Sequence, residues 1–327
     1  MSSLATALRE LATQVSYGPE AGLTLALGTA RRSLGYGEAA CLALRQHFYA
    51  RYFSRWQPVA QARTRYSDRA SGEPAFVAAL TAAAHGAACW EPGWRVVKSD
   101  ESWAFVSNGR LNVFVDDRAC LEPRGAADGA AVQVRLPCAR ENLAPGFFYL
   151  FGRAGPIDRQ AGHLKLYLNL APAGAAPLVE ALARGPRLER LKFEAKVANS
   201  PAAYCRVDTA LLYVEPPSYA GLLGFLRGLR RSHPAWWREG TPLFARELGT
   251  GLALAEVPPG LPAESFGRHR CRLVAEEVLA ALEARDGSPS SWHSRVAARF
   301  AREGLELGRT EKLKARSRRS GARVAGR

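Results

Sequence analysis

Polar side chains fall at every second position in His163-Leu-Lys165-Leu-Tyr167-Leu-Asn169-Leu170. Side chains of an extended strand alternate between its two faces, so the leucines point one way while an imidazole, an ammonium, a phenol and an amide line the other. Such a row can hold an anion and exchange a proton, and it also suits a plain solvent face. Lys192, Glu194 and Lys196 alternate in the same way with Leu191, Phe193, Ala195 and Val197. Read as one strand from Tyr204 to Val214, the even positions place Tyr204, Arg206 and Asp208 on a face with Ala210, Leu212 and Val214. Burying an unpaired charge is costly, so Arg206 and Asp208 need partners, which can be each other.

A third feature sits in the helix that the pattern predicts from Phe266 to Ala284, with Ser265 as its N-cap. At about 100° per residue, Phe266, Leu273, Val274, Val278, Ala281 and Leu282 form the inward stripe, with Arg270 in its middle and His269 at its edge. An arginine one turn inside a helix N-terminus is a good receptor for a phosphate or carboxylate. A structural salt bridge to Asp208 or Glu256 is the competing reading, and spacing alone leaves both open.

The elements that must position these groups change character along the chain. The first ~90 residues read as helical: Leu4, Leu8 and Leu11 recur at helical spacing, and Ala39 to Phe53 is strongly amphipathic. A polar stretch from Gln57 to Gly72 reads as a loop, and a helix from Phe76 to Ala88 follows. Asn108-Gly109 between Trp103–Val106 and Leu111–Val115 signals a hairpin. Further strands are predicted at 132–136, 147–151, 163–170, 191–197 and 209–214, and further helices at 175–184, 219–232 and 291–307. Strands in the middle and helices at both ends give an α+β fold, with a helical N-terminal portion, a central mostly antiparallel sheet and a helical C-terminus. Trp236 and Trp237 read as core.

The 327 residues include 47% apolar ones, enough for a sizeable core in one or two domains. No run has the ~18 apolar residues that a membrane span needs, and the first nine residues lack the pattern of an export signal. The chain therefore reads as cytoplasmic. Six cysteines are scattered singly, which argues against a zinc site or a disulfide framework. The net charge is +15, and the stretch from Gly308 to Arg327 holds eight basic residues against Glu311 alone. That tail reads as disordered, and no motif for specific nucleic-acid recognition accompanies it.

Seven segments, in order, resemble the HopA-like proteins, which take their name from a plant-pathogen type III effector. Proteins of this kind occur as the lyase component of class V lanthipeptide and thioamide-peptide biosynthesis. The segments are Lys165-Leu-Tyr-Leu-Asn-Leu170, Phe193-Glu-Ala-Lys-Val197, Ala203-Tyr-Cys-Arg-Val-Asp208, Leu211-Leu-Tyr213, Thr241-Pro-Leu-Phe244, Gly251-Leu-Ala-Leu-Ala-Glu256 and Ser265-Phe-Gly-Arg-His-Arg-Cys-Arg-Leu-Val-Ala275. They span residues ~145 to 284, and Lys165 departs from the arginine more often expected there.

The resemblance implies a phosphoserine/phosphothreonine lyase that needs no metal or organic cofactor. On the positions that the resemblance selects, the chemistry gives Lys196 as the base, Arg206 and Arg270 as the phosphate grip with help from Lys165, and His269 as the acid with His163 as its runner-up. Tyr204, Tyr167 and Asn169 would orient the substrate, and Asp208 would hold an arginine. The implied partners are a phosphorylated precursor peptide with its leader, a cognate kinase and a cyclase. A different class remains open, a non-catalytic module that docks a kinase or a leader peptide. The expected organisation is a helical region at 1–90, an α+β domain at 91–307 and the basic tail at 308–327.

Overall fold

A computed structural model describes residues 3–27, 30–56, 72–259, 264–306 and 308–311. The chain divides into two compact units: a terminal unit of residues 1–57, 160–162 and 240–327, and a central unit of residues 58–159 and 163–239. Both chain ends therefore belong to one unit, a division that the expected boundaries at 90 and 307 do not follow. The architecture is α+β with antiparallel sheets, as the pattern predicts.

In the terminal unit, helix α1 (Leu4–Ala12) is capped by the Ser3 hydroxyl and buries Leu4, Ala7, Leu8 and Leu11. The N-terminal portion is not only helical. Strands β1 (Val15–Gly18), β2 (Gly22–Leu27) and β3 (Ala30–Gly35) form an antiparallel meander. Short alternating runs with Val15, Leu23 and Leu25 inward separate at a turn that ends in Gly22, whose φ of 63° suits glycine. A Cβ on Gly22 would lie 2.2 Å from the Gly35 carbonyl oxygen. Helix α2 (Gly37–Phe48) then widens into a π turn over Tyr49–Phe53. The polar stretch expected at 57–72 lies, but for Gly72, outside the described residues.

The central unit opens with helix α3 (Pro74–Ala83), shorter than the alanine-rich run suggests because Gly86, at φ 76°, turns the chain into a strand at Ala88. Strands β4 (Ala88–Ser99), β5 (Ala104–Ser107), β6 (Asn112–Val115), β7 (Leu121–Glu122) and β8 (Ala131–Pro137) make a sheet in the order β6-β5-β4-β8-β7. Its inner face packs Trp94, Val96, Val106, Val132 and Val134. The Asn108-Gly109 hairpin is present: the Asn108 side-chain oxygen accepts from the N–H groups of Arg110 and Leu111 at 3.0 and 2.8 Å.

Strands β9 (Ala139–Ala144), β10 (Phe147–Phe151), β11 (His163–Leu168), β12 (Phe193–Ala198) and β13 (Ala210–Val214) pair in the order β11-β13-β12-β10-β9. Helices α4 (Ala175–Arg184) and α5 (Tyr219–Ser232) have the predicted bounds, and Trp237 is buried while Trp236 is half-buried against Gly174.

The terminal unit is completed by the hairpin β14 (Arg246–Gly249) and β15 (Leu252–Val257) and by helices α6 (Phe266–Glu283) and α7 (Pro289–Arg302). Residues 308–311 are not a solvated tail. Glu311 is buried, and its carbonyl accepts from Glu256 N–H at 2.8 Å. The expected tail thus begins no earlier than Lys312, and residues 312–327 lie outside those described. No helix among the described residues is long and apolar enough to cross a membrane.

Helix α6 approaches the π turn closely at Gly267, where an added Cβ would sit 2.5 Å from two ring atoms of the buried Phe53. Alanine is the better helix former by about 1 kcal/mol, but overpacking a dense core costs about 1–3 kcal/mol. Gly267→Ala is therefore expected to lower stability by about 1–2 kcal/mol, read as a lower urea midpoint with an unchanged slope.

Candidate polar face of the central sheet

Strand register decides which side chains share a face, because residues directly opposite each other point the same way. One rung of the sheet is Phe151–Glu194–Tyr213–Lys165, across β10, β12, β13 and β11. The adjacent rung on the same face is Tyr149–Lys196–Leu211–Tyr167. His163, two residues before Lys165 on β11, extends the row. The two alternating polar strands read from the sequence are thus brought onto one surface by β13 between them.

Arg159 reaches this face from the loop after β10. Its guanidinium bonds both through Nε, at 2.9 Å, and through Nη2 to the Glu194 carboxylate. It also lies 3.9 Å from the centre of the Tyr213 ring, with Lys165 Nζ 5.3 Å from the same centre. Glu194 accepts in addition from Ile157 N–H at 3.3 Å, and only 7% of its side chain is exposed. Burial works against the charge on Arg159, but Glu194 and then Tyr213 outweigh it, so the guanidinium is held cationic. Burial pushes the Tyr213 phenol up to about 12 and raises that of Tyr149, so both remain O–H donors at neutral pH. Lys196 Nζ stands 3.8 Å from the centre of the Phe147 ring and 6.0 Å from that of Tyr149. Together these groups make a surface of cations on aromatic rings, well suited to an anion. Glu194 stands on the polar side of its strand, as the alternation predicts, whereas Arg159, Tyr149 and Tyr213 are not among the expected site residues; the alternation of Tyr149 and Tyr213 within their strands is the signal that marks two of them.

His163 is buried, and its Nδ1 lies 3.3 Å from the Arg159 carbonyl, to which the neutral ring donates. Burial first, then the Lys165 charge, lower its pKa from 6.5 to about 4. The unfolded chain therefore takes up this proton before the folded one. Stability from His163 is fully present above pH 6.5 and is lost as the pH falls towards 4, by about 2–3 kcal/mol. Urea unfolding at pH 7 and pH 4.5 should show this loss, and His163→Gln should remove that share of it. At neutral pH the imidazole is uncharged, which suits a hydrogen-bonding or proton-accepting role better than that of a cationic acid.

The segment from Tyr204 to Asp208 is not strand. Pro201 starts a 3-10 turn through Tyr204, and β13 begins only at Ala210, so alternation across Tyr204–Val214 does not apply. Tyr204 is buried, donates its O–H to the Ala198 carbonyl at 3.1 Å and packs edge-on against Phe76. Asn169 donates from Nδ2 to the Glu239 carbonyl at 2.7 Å, and its main-chain carbonyl accepts from Arg238 N–H. Arg206 grips Asp208 along one edge, Nε to Oδ1 at 2.5 Å and Nη2 to Oδ2 at 2.6 Å. The pairing of Arg206 with Asp208 that the sequence left open is the one adopted.

His269 and Arg270 belong to the terminal unit. Ser265 caps α6 as expected, its hydroxyl accepting from Arg268 N–H. Arg270 is 1% exposed, lies over the Phe266 ring at 4.4 Å and donates from Nη1 to His269 Nδ1 at 3.0 Å and from Nη2 to the Thr310 carbonyl at 3.4 Å. Burial, then the charges of Arg270 and Arg272, lower the His269 pKa and keep that ring neutral.

The sheet that carries this face lies within a recognisable sequence family. Residues 138–310 match the HopA1 effector protein family, just over half of the chain, and the chain belongs to that family. The match extends beyond residues 145–284 at both ends. Two solved structures are similar. One is the effector protein from Pseudomonas syringae pv. syringae strain 61, 18% identical, with a TM-score of 0.45 over 82% of this chain and 88% of that one. The other is the effector protein from Pseudomonas syringae pv. tomato strain DC3000, 17% identical, with a TM-score of 0.44 over 85% of this chain and 100% of that one. No curated protein compared with the chain matches it.

Proposed function

We propose that this chain is a lyase that removes phosphate from phosphoserine or phosphothreonine in a peptide, leaving dehydroalanine or dehydrobutyrine. The observation that carries the reading is the face on which Lys196 and Lys165 stand with Tyr149, Tyr213 and the Arg159–Glu194 pair. Elimination needs a base for a weakly acidic Cα–H and cations for the phosphate and the developing enolate. In this reading the Lys196 amine accepts the Cα proton, the Cα–Cβ double bond forms, and the Cβ–O bond breaks with its electrons leaving on phosphate. Lys165 and Arg159 receive the phosphate dianion, and the Tyr149 and Tyr213 phenols donate to the peptide or phosphate oxygens. His163, neutral at working pH, orders the base of the Arg159 loop.

The test is mass spectrometry of a leader-bearing phosphoserine or phosphothreonine peptide incubated with the protein alone. Loss of phosphoric acid, followed by addition of a thiol to the product, supports the reading. A peptide that binds tightly and keeps its phosphate supports a docking module instead.

A further inference from the structure

We infer that a second copy of this chain docks on the open edge of β6, extending the five-stranded sheet of the central unit across a two-fold axis at Val113. Among the described residues strand β6 ends the order β6-β5-β4-β8-β7 with no strand beyond it, and it carries no charge between Leu111 and Val115. Edge strands are normally protected by charges, proline or a covering segment, because their unpaired main-chain groups invite another strand. Here the edge instead displays Leu111 and Phe114, which are 63% and 61% exposed, and Phe114 is held upright by stacking on Trp103 with ring centres 5.6 Å apart.

Register selects the occupant. Asn108 N–H donates to the Leu111 carbonyl at 3.1 Å, which marks Asn108/Leu111 as a hydrogen-bonded pair. Such pairs alternate in an antiparallel ladder, so Val106/Val113 and Ala104/Val115 are bonded and Phe105/Phe114 and Ser107/Asn112 are not. The N–H and C=O groups of Asn112 and Phe114 therefore point away from β5, off the open edge.

A two-fold axis at Val113 sets Asn112 opposite Phe114 of the second copy, where the two residues exchange both hydrogen bonds, and the symmetry repeats the exchange. The same register sets Leu111 opposite Val115, Val113 opposite itself and Arg110 opposite Asp116, so in Arg110-Leu-Asn-Val-Phe-Val-Asp116 the charges meet opposite charges and the three aliphatic residues meet aliphatic ones. Neighbouring registers lack this match. An axis at Phe114 opposes Arg110 to Arg118, and an axis at Asn112 sets Asp116 against Asn108. Arg110 and Asp116 are both exposed, so neither charge is needed inside the protomer. An isologous contact of this kind is the usual form of a closed dimer, and its short length predicts weak association in the micromolar range.

The test is sedimentation velocity of the full chain over a concentration series, with circular dichroism to confirm that each variant is folded. Wild type should show a concentration-dependent dimer. Arg110→Asp and Asp116→Arg should each weaken it at least about tenfold, because each replaces two opposite-charge pairs by two like-charge ones. The double reversal, Arg110→Asp with Asp116→Arg, should restore it. A wild type that stays monomeric, single reversals that dimerise like wild type, or a double reversal that stays monomeric would each overturn the proposal.

Discussion

Lys196→Ala should reduce phosphate elimination by about 10²–10⁴-fold, the range that a positioned base contributes, while leaving peptide affinity nearly unchanged. The more telling variant is Lys196→Arg. The guanidinium keeps the positive charge beside Phe147 and Tyr149 and can still hold phosphate, but it does not give up its proton in a protein. If Lys196 is the base, a guanidinium cannot replace it, and the arginine variant should be as inactive as the alanine one. If Lys196 only holds the leaving phosphate, the arginine variant should keep much of the rate. Single-turnover mass spectrometry of the phosphopeptide separates the two. Elimination at the wild-type rate in Lys196→Ala would remove this residue from the mechanism.

What the sequence made legible was local. Alternation in His163–Leu170 and Leu191–Val197 identified two strands and the polar side of each, and the Asn108-Gly109 turn and Ser265 cap lie where their chemistry places them. Alternation says nothing about which strands are neighbours. That β13 lies between β11 and β12, and so unites Lys165 with Lys196 through Tyr213 and Leu211, is a fact of long-range register. Arg159 was invisible for the same reason, since it stands in a loop with no period and matters only because Glu194 is opposite. Tyr204 to Asp208 misled because a two-residue period can persist by chance through a turn, and Pro201 outweighs it. The meander at Val15–Gly35 was missed because its strands are short and flanked by strong helical patterns, leaving few residues in which a two-residue period could show.

The largest stability effect on this face is expected at Glu194. Breaking a buried ion pair costs about 3–5 kcal/mol because the remaining charge loses its partner. Arg159 is 42% exposed and regains water when released, which brings the expected cost of Glu194→Ala to about 2–3 kcal/mol. Glu194→Gln keeps an acceptor for Ile157 N–H and for the guanidinium, and should cost about half as much. A urea-unfolding double-mutant cycle with Arg159→Ala should give a coupling of about 1 kcal/mol or more. Additive effects would mean that the pair contributes by packing alone. Function gives an independent reading. Because Glu194 holds Arg159 over Tyr213, Glu194→Gln should lower the elimination rate under conditions where the protein is still fully folded. A rate that follows only the folded fraction would place Glu194 in the scaffold and leave the anion surface to Lys165, Lys196 and the two phenols.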